Sequence, residues 1–423
     1  LVSPRKFNRI IEYYKNYRDP YIDYVLNNRE LELFTLVAHR SQFEFQNIPK
    51  LRHLARCLLI FVEDSPMPSI SALFQKKYSL DISDWVMMCF AVYALINGQK
   101  NSSIRIENFL ESKVNLIPKK AIIPFFELSS QTSQDFGNSF RKRNSEFPPY
   151  LHIHLRSLFF EHPLIKFLDG SYMVVHPYLI FHHAQNGLYR LCQELDLELF
   201  GNEFGASFER YVGNLLSHLN NQITIILENQ LLLAHRSKVC DFLVEFEDCI
   251  LLCECKATQY SAKLYTENAI AGDNSTNKMA DAFEQLYISA RNIRDGVYSK
   301  SISNSNKPIV GIVATYGNLP FANSNWYFQH AISNRMSQEI LKDWPWPMDV
   351  FPQILHIQGL EELVIVMNKL NQSPLELIRE KLKKEYSQVG DWSQYISVIL
   401  NKKVHNWDFP FLDDSTNQFF GDD

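Results

Sequence analysis

The chain has no long apolar run. Its longest, Trp85–Ile96 (WVMMCFAVYALI), falls well short of the roughly 20 residues needed to cross a bilayer and suits a buried helix instead. It has no glycine-rich phosphate loop, no G-x-G-x-x-G after a strand and no nucleophilic Ser or Cys motif. Nucleotide-driven, dinucleotide-dependent and acyl-transfer chemistries therefore have no motif to stand on. A basic excess is missing as well. The 42 Lys and Arg are outnumbered by 47 Asp and Glu, for a formal net charge of −5, so any surface for nucleic acid must be local. There is no internal repeat, which sets solenoid architectures aside. Cysteines are few and odd in number: Cys57, Cys89, Cys192, Cys240, Cys249, Cys253 and Cys255. Most lie in apolar runs, no secretory leader precedes them, and no C-x2-C pair recurs. Reduced, buried thiols in a cytoplasmic protein are expected, rather than disulfides or zinc ligands.

With 423 residues, 46% of them hydrophobic, the chain has room for two or three domains and a sizeable core. The first 130 or so residues read as helices. In Pro49–Asp64, for example, Leu51, Leu54, Ala55, Leu58, Phe61 and Val62 recur at helical spacing. Ser69–Tyr78 and the helix around Trp85 form a pair that reads as plain helical packing rather than as a DNA reader. The polar stretch Ser129–Pro149, with Arg141-Lys142-Arg143, reads as a loop or linker. Leu164–Leu168 and Ser171–Val175 flank Asp169-Gly170, a hairpin signal, and a helix over Leu179–Leu195 follows. The pattern then changes. A helix at Ala206–Leu219 precedes strand-like runs at Ile223–Leu227, Leu231–Ala234, Asp241–Phe246 and Ile250–Ala257. Helix Lys278–Asp295, strand Pro308–Thr315, a last strand at Ile354–Ile357 and helix Gly359–Leu370 complete this part. The organisation expected is a mostly helical region over 1–195, an α/β domain over 196–370 and a helical extension with an acidic tail over 371–423.

Three charges interrupt the apolar hairpin VCDFLVEFEDCILLCECKA (Val239–Ala257): Asp241, Glu254 and Lys256. Alternate residues of a strand share a face, so Glu254 and Lys256 point one way and Cys253 and Cys255 the other. The turn at Glu247-Asp248 pairs the strands antiparallel and brings Asp241 toward Glu254. Two converging carboxylates repel each other and lose hydration unless something neutralises them. A divalent cation does so, and all-oxygen donors suit Mg2+, Mn2+ or Ca2+ rather than zinc. Lys256 beside it can orient a water or stabilise charge on a phosphate. On helix Gly205–Leu219, Glu209 lies at the edge of the core stripe and can reach over the sheet toward the pair.

A helix with Glu, then Asp, then Glu-x-Lys in a hairpin, then a helix with Gln, resembles the PD-(D/E)XK nuclease superfamily over about Phe200–Leu370. The resemblance implies an α/β, restriction-endonuclease-like mixed central sheet flanked by helices. It also implies a metal site of Asp241 and Glu254 completed by Glu209, a catalytic Lys256, and Mg2+ or Mn2+ as cofactor. On the following helix, Lys278, Gln285 and Ser289 share a face and could touch substrate phosphate, as could Lys238 ahead of Asp241. The sequence departs from the superfamily in two places. Cys240 stands where the name has proline, and Ser289 where some members carry tyrosine after the glutamine. A second Glu-x-Lys, Glu111-Ser112-Lys113, lacks an upstream Asp and reads as a decoy.

The expectation is thus a metal-dependent endonuclease cutting DNA or RNA, tRNA included. By analogy with stand-alone bacterial defence nucleases, it would act against phage, with the helical region sensing a phage-derived or other activator. No membrane is involved in this reading, and a homodimer is left open. Two rivals are a catalytically inactive nucleic-acid-binding module and a helical interaction scaffold.

Overall fold

The computed structural model describes residues 51–420 apart from 65, 100–102, 112–117, 147–156, 221, 235–237, 260–273, 320–321, 346, 384–391, 393–394, 397–399 and 405–406. Residues 1–50, most of the decoy motif and the last acidic pair of the tail lie outside the described residues.

Helices α1 (Arg52–Phe61), α2 (Pro68–Tyr78) and α3 (Ile82–Gln99) open the described chain. Proline at the first position of α2 suits a start where no N–H partner is needed, and Ser79, left-handed at φ 53°, ends it. The apolar run forms α3, whose Trp85, Val86, Met88, Cys89 and Val92 are buried in the core. No single helix among the described residues is long and apolar enough to cross a membrane.

A small mixed sheet follows. Strands β1 (Ser103–Ile104), β2 (Ser130–Thr132), β3 (Leu164–Lys166) and β4 (Tyr172–Val174) lie in the order β1-β4-β3-β2. The Asp169-Gly170 turn joins β3 to β4, with Gly170 at φ 77°. Helix α4 (Ile122–Ser129) runs into β2, and α5 (Ser133–Ser145) follows it. Residues 130–145 of the stretch read as a linker are therefore a strand and a helix. Thr132 Oγ1 caps α5 by accepting from Asp135 N–H at 3.1 Å, and the helix buries none of its residues. A helix with no apolar stripe gives no periodic signal.

The second sheet carries the order β5-β6-β7-β8-β9, from β5 (Gln222–Leu227), β6 (Phe242–Phe246), β7 (Ile250–Lys256), β8 (Ile309–Thr315) and β9 (Gln353–His356). The β5–β6 and β6–β7 pairs are antiparallel, whereas β7–β8 and β8–β9 are parallel. Helix α6 (Leu197–Ser217) precedes β5, α7 (Glu228–Ala234) leaves it, α8 (Asn274–Arg294) follows β7 and α9 (Ile357–Leu370) follows β9. The run expected as a strand at Leu231–Ala234 is the second half of α7. Four apolar residues cannot distinguish the two conformations, and Gln230 Oε1 accepts from Leu227 N–H at 2.9 Å at the helix start.

Strand alternation sorts the core. Phe242, Val244, Leu251, Cys253, Val310 and Ile312 join the cluster that contains α6, α9 and the N-terminal helices. Leu243, Ile250, Leu252, Ile309 and Val313 pack on Met279, Phe283, Leu286 and Ala290 of α8. Each Val, Leu, Ile, Phe or Met among them contributes about 1.5–3 kcal/mol when fully buried. The first cluster also takes in Leu375 and Ile378 of α10 (Pro374–Lys381) and Leu412 and Phe420 of α11 (Pro410–Phe420), so one apolar core runs through all three stretches drawn from the sequence. All seven cysteines are free thiols, and six are buried.

Candidate functional site

The antiparallel hairpin sets the site. Phe242 pairs with Cys253, so the next position places Asp241 beside Glu254. Asp241 Oδ2 accepts from Cys255 N–H at 2.6 Å, a bond that ties its carboxylate to the end of β7. Glu254 and Lys256 lie on the face that packs on α8, where Lys256 Nζ donates to Glu254 Oε1 at 2.5 Å and to Gln285 Oε1 at 2.8 Å. Gln285 is fixed in turn, since its Nε2 donates to Val239 O at 3.2 Å. One turn on, Ser289 Oγ accepts from Cys240 N–H at 2.8 Å, which docks α8 against the residue before Asp241. The cluster stands at the carboxyl ends of the parallel strands, where open α/β sheets leave a crevice for ligands.

Glu254 is 1% exposed, and its Oε2 has no hydrogen-bond partner among the described residues. Burial pushes its carboxyl up to about 8, with the charge of Asp241 acting in the same direction and Lys256 opposing. Burial also raises Asp241, to about 6, against the bond from Cys255 and the charge of Lys256. Glu209, half-buried on α6, is raised to about 7 by burial and by the charges of Asp241 and Glu228. The three carboxyls therefore resist ionising together, and the ammonium of Lys256 offsets this only in part.

Of the residues singled out from the sequence, Asp241, Glu254, Lys256 and Gln285 come together, and Glu209 approaches Asp241 from α6. Gln285 and Ser289 hold Lys256 and the backbone just before Asp241 rather than facing outward. Lys238 is exposed, and Lys278 lies seven residues before Gln285 on α8, about 10 Å along the helix axis. Glu228, at the start of α7, was not picked out from the sequence. It adds its charge to Glu209, Asp241 and Glu254 alike. Its signal was its position: it follows the strand run Ile223–Leu227, next to the strand that Asp241 precedes.

The donors available for a cation are all carboxylate oxygens, and the unpartnered Oε2 of Glu254 fits one. Among the described residues no three His, Cys, Asp or Glu side chains converge as a ready-made metal cage. No protein-family model matches the chain, and comparison with curated proteins and with solved structures yields no match.

Proposed function

We propose that the chain is a metal-dependent endonuclease of restriction-endonuclease-like fold that hydrolyses phosphodiester bonds in DNA or RNA. One observation carries the reading: Asp241, Glu254 and Lys256 share one end of the sheet, with Lys256 clamped between Glu254 and Gln285 and one oxygen of Glu254 left unpartnered. Hard oxygen donors of this kind suit Mg2+ or Mn2+, held by Asp241 and Glu254 with Glu209 from α6. When bound, such a cation lowers the pKa of water and screens a phosphate.

The protein's own groups do the positioning. Lys256 Nζ has three protons, and the bonds to Glu254 and Gln285 engage two. The third is available for a water oxygen or a non-bridging phosphate oxygen, where an ammonium stabilises charge that develops during in-line attack. Cys255 N–H holds Asp241 so that its carboxylate stays beside Glu254 while the charge on the site changes. In a cell, a gated activity of this kind would serve to destroy foreign nucleic acid, with an activator engaging the N-terminal helical region.

The test is cleavage of plasmid, single-stranded DNA and total RNA with Mg2+, Mn2+ or EDTA. Wild type should cut with metal and not with EDTA, and the double variant Glu254→Ala/Lys256→Ala should not cut. Tight binding without cutting would favour an inactive binding module. Neither cutting, nor binding, nor toxicity on expression would leave the scaffold reading.

A further inference from the structure

The crevice has a rim that the hairpin motif does not reach. At the last residue of α8, Arg294 Nη2 donates to Asp349 Oδ2 at 2.7 Å, and the same oxygen accepts from the N–H of Ile309, the first residue of β8. Farther back along the helix, Gln285 meets Lys256, the last residue of β7. Helix α8 therefore runs antiparallel to β7 and β8, and its first turns rise past their carboxyl ends. A helical segment, 325–335, meets α8 there. Thr276 Oγ1 shares a 2.9 Å hydrogen bond with Tyr327 OH, and Arg335 Nε donates to Asn277 Oδ1 at 2.6 Å. Asn277 stands about 12 Å along the helix axis from Gln285.

Trp326 and His330, one turn apart on this segment, stack at 4.8 Å with their planes 20° apart. His330 Nδ1 also bonds to Trp326 O at 3.0 Å, and since a carbonyl only accepts, the ring proton sits on Nδ1. Two contacts thus fix the His330 ring, yet His330 is exposed and Trp326 half-buried. A pair at this spacing steadies a helix only slightly, which does not account for an ordered ring left open to solvent. Arg335 gives Nε to Asn277 and Nη1 to Ala331 O at 2.6 Å, while Nη2 meets no acceptor among the described residues. In a chain of net charge −5, Arg335 and the neighbouring Lys278 supply the local cations that an anionic strand needs. Aromatic faces stack on bases and a guanidinium binds phosphate oxygens, and a base offers its face only where the strand is unpaired.

We propose that Trp326, His330 and Arg335 hold an unpaired stretch of the substrate at this rim, so that the site takes single-stranded nucleic acid in preference to duplex. The inference rests on reading the site as a nuclease, and it names the substrate class that this reading leaves open.

The experiment is fluorescence anisotropy of the full chain in EDTA, where no metal-dependent cutting occurs. The probes are a labelled single-stranded DNA oligonucleotide, the same strand with base-free sites, and the matching duplex. Wild type should bind the single strand more tightly than the duplex. Loss of one stacking ring weakens binding roughly 5- to 100-fold, so Trp326→Ala and His330→Ala should each lower single-strand affinity about fivefold or more and leave the base-free strand and the duplex unchanged. His330→Phe, which keeps a ring, should retain most of the affinity, and a loss equal to that of His330→Ala would overturn stacking as its basis. Arg335→Gln should reduce the slope of log affinity against log salt by about 0.7, the contribution of one phosphate contact, whereas Lys300→Gln, beyond the far end of α8, should not. Ring variants that bound the single strand as wild type does, or a wild type that preferred duplex or bound neither, would overturn the inference. The nuclease reading would still stand if wild type cut nucleic acid with Mg2+. Conversely, ring variants that lost single-strand binding in a protein that cuts nothing would uphold the rim and overturn the nuclease.

Discussion

Lys256 meets two acceptors of different kinds. Glu254 brings opposite charge and Gln285 brings direction without charge, and Gln285 is anchored at its other end on Val239 O. Removing the ammonium and removing the amide should therefore look different. Lys256→Met is expected to lower kcat by about 10^2–10^3 and to leave Mn2+ binding in place, because a carboxylate oxygen is freed rather than lost. Gln285→Leu is expected to lower kcat about 10- to 100-fold with KM little changed, since the lysine remains but is no longer aimed. Steady-state cleavage kinetics on one substrate, with a Mn2+ titration alongside, separates the two. A Gln285→Leu enzyme that raised KM alone would show the amide binding substrate. Asp241, Glu254 and Lys256 could be read from the sequence because a two-residue spacing within a strand fixes a common face. The task of Gln285 could not, because nothing in a linear pattern says which way a helix is docked.

Helix α6 lies close against the sheet at Gly213. A Cβ there would stand 2.9 Å from Cε1 and 3.0 Å from Cζ of Phe242, the residue after Asp241. Gly213→Ala should cost about 1–3 kcal/mol by overpacking, seen as a lower denaturation midpoint, and should disturb the proposed cation site through Phe242. A second element with a definite consequence is the π-helical turn His183–Gly187, continuous with the helical segments on either side. His183 is buried against Trp85 and shares a 3.1 Å hydrogen bond with Ser129. Burial, helped by the charges of Arg190 and His162, lowers its pKa to about 3 from an ordinary 6.5. The folded state therefore refuses a proton that the unfolded chain accepts below about 6.5. Its contribution to stability is complete above that pH and is lost as the pH falls through 6.5 toward 3. His183→Phe should flatten this acid limb in urea titrations taken between pH 7 and 4, and an unchanged slope would show that His183 is not its source. Elements with an apolar stripe were legible from spacing. The polar helix α5 and the short helix α7 were not, because capping bonds rather than periodicity define them.

At the scale of the molecule, one buried ion pair ties the first helices to the last helix of the sheet region. Arg56 of α1 binds Glu361 of α9 through both nitrogens of a fork, and Tyr211 of α6 donates to Glu361 Oε1 at 2.6 Å. At the surface, Arg52 of the same helix pairs with Asp413 of α11, its Nη2 donating at 2.7 Å. The helical layer and the sheet are thus held by a shared core and by charges that cannot separate cheaply. Arg56→Leu should destabilise the whole chain by about 3–5 kcal/mol, because Glu361 is left buried without its partner. Arg56→Leu/Glu361→Leu should recover most of that loss in a double-mutant cycle by chemical denaturation. If the single variant melted only the N-terminal helices and left the sheet intact, the two regions would be separate folding units.

By itself the sequence determined the five strands of the second sheet, its helices α6, α8 and α9 and the three charges in its central hairpin. Burial periodicity and strand alternation act over a few residues, so they survive in a linear text. Only the tertiary structure decided that Glu228 N–H meets Asp241 O, that Gln285 turns inward to hold Lys256, and that one apolar cluster takes in residues from α1 through α6 and α9 to α11 across expected boundaries. Those facts depend on strand register, on helix docking and on contacts between residues up to several hundred positions apart. Chain spacing does not encode such distances; packing does.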